Sequence, residues 1–121
     1  RNLVKKKDKV IPERGDIVLL DYSPQSGSEM KGEQYALVIS HTKYNIKTNC
    51  IIACPITSNA DYHSILIKIP DKQAVHGYII PDQIKHLDWK TRGIMVKGKL
   101  PTELIIKTLD YIKAIIDDLE D

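Results

Sequence analysis

The feature that most constrains this chain is a succession of short apolar runs rich in Ile, Val and Leu, each closed by Gly, Pro, Asn or a charged stretch. Such runs are too brief for stable helices, and their β-branched content suits strands. The first covers 16–22, preceded by Gly15 and followed by Pro24. Others fall at 35–40, 50–56, 65–69, 77–80, 84–87 and 93–100. Many short strands with frequent turn signals point to a mainly β core, a small barrel or sandwich. Pro55 lies near the end of the third run and predicts an edge position or an exit from the ladder, because proline has no N–H to donate. Residues 23–34 read as a long loop of the kind that often carries function. Residues 41–49 are polar, with Asn45 and Asn49 as turn formers.

The chain ends differently. Pro101 suits the first turn of a helix. Leu104, Ile105, Leu109, Ile112, Ile115, Ile116 and Leu119 then recur at helical spacing, with Lys107, Asp110, Lys113 and Asp117 on the other side. This predicts an amphipathic helix of roughly four to five turns packed on the β core, which makes the fold α+β. Residues 1–14, polar and basic, read as an arm leading into one domain over 15–121.

Composition excludes several classes. With 121 residues, 42% hydrophobic and 28% charged, the chain suits a single globular domain and not a disordered one. Phe is absent, so Trp89 and the tyrosines supply the aromatic bulk of an otherwise aliphatic core. The net charge of +2 is weak as a sign of a polyanionic partner. Lys5, Lys6 and Lys7 at one end and Asp117, Asp118, Glu120 and Asp121 at the other read as solvated termini. No apolar run is long enough to cross a bilayer and no signal peptide is visible, so a cytoplasmic protein without membrane contact is expected. Cys50 and Cys54 fall on one face of the 50–56 run and read as free, partly buried thiols. His41, His63, His76 and His86 are scattered without ligand spacing, so neither a metal nor a cofactor is expected. His63 and His76 read as exposed loop residues.

No phosphate-cradling glycine loop or nucleophile elbow is present. What remains is the glycine-bounded stretch 27–32, which carries Glu29 and Lys31. An acid and a base on a loop held by strands suit proton transfer at a phosphodiester. They equally suit ordinary solvated charges, and the residues alone leave both readings open.

The order of motifs resembles a known family. The stretch 15–24, Gly-Asp-Ile-Val-Leu-Leu-Asp-Tyr-Ser-Pro, is similar to the opening strand of MazF/PemK toxins, and 27–32 to the loop after it. The strand over 36–40, Tyr44-Asn45, Pro55-Ile56-Thr57, Gly77, Asp82-Gln83, Asp88 and Lys90-x-Arg92 follow in the family's order. The similarity covers about residues 14 to 118. It implies a small SH3-like or CcdB-like barrel with a C-terminal helix, assembled as a homodimer. It implies metal-independent, sequence-specific cleavage of single-stranded RNA, held in check by an acidic antitoxin of the MazE type. On this resemblance Glu29 is a candidate base, and Thr57 a hydroxyl that bonds the scissile phosphate. Ser28, Lys31, Asp82, Gln83 and Lys85 are candidate RNA contacts, with Asp82 and Gln83 near the RNA groove or the dimer edge.

One departure stands out. Where the family carries an arginine and then a proline before its second strand, this chain has Gln34 and Tyr35. Arginine offers a permanent charge and a bidentate fork for phosphate; glutamine offers a neutral amide. Losing such a group in a sequestered site lowers rate on the order of a hundredfold. A barrel that binds antitoxin or RNA without cutting therefore stands beside the nuclease. The Glu29–Thr57 pattern argues against a third reading, a CcdB-like gyrase poison acting by protein contact, because that mode needs no hydrolytic site.

Overall fold

The computed structural model describes residues 10–21, 32–61 and 65–117. The sheet is built from β1 (Asp16–Asp21), β2 (Glu33–Val38), β3 (Cys50–Thr57), β4 (Ile67–Lys68), β5 (Tyr78–Ile79), β6 (Lys85–Asp88) and β7 (Met95–Lys99). Helices α1 (Thr42–Thr48), α2 (Trp89–Arg92) and α3 (Thr102–Asp117) and a 3-10 turn (Pro81–Gln83) complete the described chain. Every strand pairing is antiparallel, and the strands run in the order β4-β5-β3-β2-β1-β7, with β6 also on β3. The mainly β core and C-terminal helix are as the sequence predicts. The hydrogen-bonded path stays open between β4 and β7, so the sheet does not close on itself.

Both faces of the central strands are covered. Along β1, Ile17 enters one core and Val18 the other; along β2, Leu37 and Ala36 divide the same way; along β3, Cys54 and Ala53 do. The first core also takes Ile56, Ile67, Ile79, Leu100, Leu104 and Ile105, so α3 covers it. The second takes Leu20, Val38, Ile51 and Leu87, with Trp89 and Ile94 packed against it. Two-sided burial explains why the runs at 16–22, 35–40 and 50–56 are nearly continuous in apolar residues and do not alternate. Each wholly buried Ile or Leu contributes about 1.5–3 kcal/mol by leaving water.

Several element bounds differ from the sequence reading. β2 spans Glu33–Val38, not 35–40, while β4 keeps only Ile67–Lys68 of the 65–69 run. Pro55 lies on an inner strand, not at an edge, with β2 on one side of β3 and β6 and β5 sharing the other. β6 pairs as far as Ala53 and β5 starts at Ile56, so Pro55 falls in the gap between them. Its carbonyl accepts from Ile80 N–H at 3.0 Å on that same side. The missing N–H would point into the gap, where it interrupts no ladder bond.

Residues 41–49 are not a turn; they hold α1. The His41 imidazole caps it, accepting from Lys43 N–H at 3.0 Å, and Asn49 ends it in the left-handed conformation at φ 60°. Asn45 is wholly buried. Its side chain accepts from the Ser40 hydroxyl at 2.5 Å and donates to the Pro12 carbonyl at 2.8 Å. Its own carbonyl accepts from Trp89 Nε1 at 2.9 Å. One residue, through its side-chain amide and its backbone carbonyl, therefore joins the chain entering β1, the exit of β2 and the start of α2. The polarity that reads as a turn is a buried hub.

Near the amino end, Arg14 Nε donates to the Ile39 carbonyl at 3.0 Å, and buried Asp16 receives Lys99 Nζ at 3.0 Å. Burial opposes the charge on Lys99, but the hydrogen bond and charge of Asp16, aided by Glu13, outweigh it and hold the ammonium above the usual lysine range. The described end of the amino-terminal arm is thus docked. Cys50 and Cys54 are free thiols; burial, with the nearby Asp82 charge, pushes Cys54 up to about 12 and leaves it inert at neutral pH. Asn45→Ala leaves the Pro12 carbonyl and Ser40 hydroxyl short of a partner and is expected to cost about 2–4 kcal/mol by urea unfolding. A loss below about 1 kcal/mol would show that the hub matters little.

Candidate functional site

The ends of β1, β2 and β3 meet on one side of the sheet. Leu19 pairs with Tyr35 and Tyr35 with Ile56, so the next step outward sets Gln34 beside Thr57. The row continues from Ile56 to Ile79 on β5. Across these strand ends lies an open groove of about 560 Å³. Gln34, Thr57, Ser58 and His76 supply much of its polar lining, with Glu33 at its rim. Leu19, Tyr35 and Ile56 form its apolar part. Gln34 and Thr57 are half-buried, while Ser58 and His76 are exposed.

The Thr57 hydroxyl is oriented by the turn that follows it. Its oxygen accepts from Asn59 N–H at 3.1 Å, and Asn59 in turn accepts from Asp61 N–H at 2.9 Å. With its oxygen engaged by a backbone donor, the hydroxyl proton is the part of Thr57 available to an acceptor in the groove. The opposite wall is pressed close. Gly77 has φ +127°, and a Cβ built there would lie 2.4 Å from the Thr57 carbonyl oxygen. The Gly77 carbonyl accepts from Ile69 N–H at 2.9 Å, so the strand after His76 is pinned between β3 and β4. The Arg92 guanidinium, at the end of α2, donates to the Asp21 carbonyl at 2.6 Å and anchors the end of β1. Asp88 caps α2; hydrogen bonds from the Thr91 backbone and hydroxyl hold its carboxyl below the usual aspartate range.

The residues singled out in the sequence divide three ways. Gln34 and Thr57 come together in the groove. Asp82, Gln83 and Lys85 are not in its lining. Asp82 borders a different crevice, between the 3-10 turn and α3, together with Pro81, Ile84, Ile112, Ile115 and Ile116. Ser28, Glu29 and Lys31 lie outside the described residues, as does His63. His76, like Glu33 and Ser58, is a groove residue that sequence reasoning missed. It sits on an exposed loop as expected, but a scattered histidine carries no spacing signal. Its neighbour Gly77 does match a motif, and only the pairing of β5 with β3 turns that match into a location.

Residues 13–116 match the family described as PemK-like, MazF-like toxin of type II toxin–antitoxin system, and the chain belongs to that family. It is 31% identical over 109 residues to the endoribonuclease toxin MazF of Escherichia coli K12, covering 90% of this chain and 94% of that protein. The crystal structure of MazF from Deinococcus radiodurans superposes with a TM-score of 0.83 at 29% identity, over 89% of this chain and 98% of the other. The MazF chain in a MazE–MazF complex from the same organism gives 0.81 at 28% identity, over 91% and 99%.

Gly77→Ala combines a disfavoured φ with a collision against fixed backbone, and its expected cost is about 2–4 kcal/mol. Gly93 also has positive φ, +70°, but nothing lies within 4 Å of its would-be Cβ. Gly93→Ala should therefore cost only about 1 kcal/mol. Urea unfolding of the two variants checks the difference; equal losses would mean that the Thr57 contact is not a constraint.

Proposed function

We propose that this chain is the toxin of a type II toxin–antitoxin pair and acts in the cytoplasm as a metal-independent endoribonuclease on single-stranded mRNA. The observation that carries the reading is that Gln34 and Thr57, far apart in sequence, line one open groove at the strand ends. The ribose 2′-hydroxyl attacks the adjacent phosphorus as its proton passes to a base. The P–O5′ bond breaks, leaving a cyclic phosphate and, after protonation, a free 5′-hydroxyl. Thr57 O–H and the Gln34 amide are suited to donate to the non-bridging oxygens, where charge builds in the transition state. Glu29 is the assigned base on the family resemblance, with Ser28 and Lys31 as RNA contacts. Splaying the strand to bring its 2′-hydroxyl in line supplies the positional part of the rate.

Gln34 sets the expected level of activity. A neutral amide stabilises a developing dianion less than a guanidinium does, so this chain is a slow nuclease. Gln83 and Lys85 stay assigned as RNA contacts, while Asp82 borders the apolar crevice beside α3, which suits a protein partner. Such a partner is the second copy of a homodimer or an acidic antitoxin of the MazE type; the latter accords with the MazE–MazF complexes of the Deinococcus relative. No helix among the described residues is long and apolar enough to cross a membrane.

The test is incubation with a long single-stranded RNA in EDTA, followed by sequencing of the cut ends. Cleavage at one short motif is expected, raised about a hundredfold by Gln34→Arg and lowered at least tenfold by Thr57→Ala. If neither the chain nor Gln34→Arg cuts RNA while antitoxin or RNA still binds, the protein is a non-catalytic binder on a toxin fold.

A further inference from the structure

We propose that His76 is the cation that holds the RNA phosphodiester in the groove. This deepens the nuclease reading and rests on it for the identity of the natural ligand. A phosphodiester is an anion, and a groove that grips one needs a countercharge or several aimed donors. Among the described residues lining the groove, Glu33 has the sign of the ligand, and Gln34, Thr57 and Ser58 are neutral. His76 alone among them is able to carry a positive charge. Histidine is also the side chain whose charge ordinarily changes between about pH 5 and 8.

Position supports the assignment. His76 directly precedes Gly77, whose backbone lies against the Thr57 carbonyl. Tyr78, the next residue, pairs with Thr57 in the β3–β5 ladder. The imidazole therefore projects from a segment fixed against the residue that offers its hydroxyl to the same phosphate. The other charged or titratable groups on the surrounding described segments include Asp21 on β1, Glu33 and Tyr35 on β2, Asp61 after β3, Lys68 on β4, Asp71 and Lys72 on the loop that carries His76, and Tyr78 on β5. Only Glu33 and Tyr35 among these line the groove. His41 caps α1, and His86 Nε2 lies 3.0 Å from the Tyr44 hydroxyl; neither is in the groove lining.

A short single-stranded oligodeoxynucleotide, which lacks the attacking 2′-hydroxyl, is the probe. Its affinity is measured at pH 5.5 and 7.5 for the chain and for His76→Gln, His76→Lys and Glu33→Gln. The chain should bind about tenfold tighter at the lower pH. His76→Gln should bind weakly at both and lose the dependence, His76→Lys should bind tightly at both, and Glu33→Gln should keep it. A pH dependence that survives in His76→Gln, or that vanishes in Glu33→Gln alone, overturns the proposal. Matched thermal melts exclude unfolding as the cause, which is a fair demand of an exposed residue. If RNA stays uncut by the chain and by Gln34→Arg while the dependence on His76 persists, the nuclease reading fails and the phosphate site stands. If RNA is cut but His76→Gln binds as the chain does, the reverse holds.

Discussion

The rest of this molecule depends on burial of the β1–β2–β3 sheet on both faces. A strand covered on one side needs alternate apolar residues; a strand covered on both needs nearly all of them. Ile17 and Val18, Ala36 and Leu37, Ala53 and Cys54 are adjacent pairs that serve opposite cores. A shift of one residue in either pairing would exchange the two sets of side chains, so the register is specified twice over. This leaves the strand ends as the place where side chains of the same sheet are free to differ. Glu33, Gln34, Thr57 and Ser58 are where apolar content stops, and the groove begins there.

That division explains what the sequence reveals. Strands β1 and β3 and the final helix are legible because their stability comes from their own apolar pattern. α1 is not, because its stability comes from Asn45, a residue with a turn-former's propensity that finds its partners at Pro12, Ser40 and Trp89. Pro55 is only half legible for a related reason: it marks the exit from the β6 ladder and not an edge, because its missing N–H matters only relative to where β6 stops and β5 starts. The stripe on α3 is legible, but its coverage is not. Leu104 and Ile105 are buried, whereas Ile115 and Ile116 remain 48% and 68% exposed beside the 3-10 turn.

The candidate site is legible to the extent that motifs mark strand ends. Gln34 and Thr57 are found by resemblance and brought together by register. His76 is reached only through topology, since 19 positions separate it from Thr57 and nothing but the β3–β5 pairing joins them. Asp82 illustrates the converse. Its place in a motif marks it, yet it borders the crevice against α3 and lies near buried Cys54, away from the groove lining. Sequence order thus groups residues that the fold assigns to two places, the groove at the strand ends and the crevice beside α3.

The central claim is that the groove at the strand ends is where single-stranded nucleic acid sits. The most direct measurement is titration of the isotope-labelled protein with a short oligodeoxynucleotide, following backbone amide signals by NMR. The account predicts saturable shifts at Gln34, Thr57, Ser58 and Gly77, with Ile112, Ile115 and Ile116 unmoved. Shifts confined to Ile84 and the end of α3, with the groove amides silent, would contradict it and move the nucleic-acid site to the crevice beside α3.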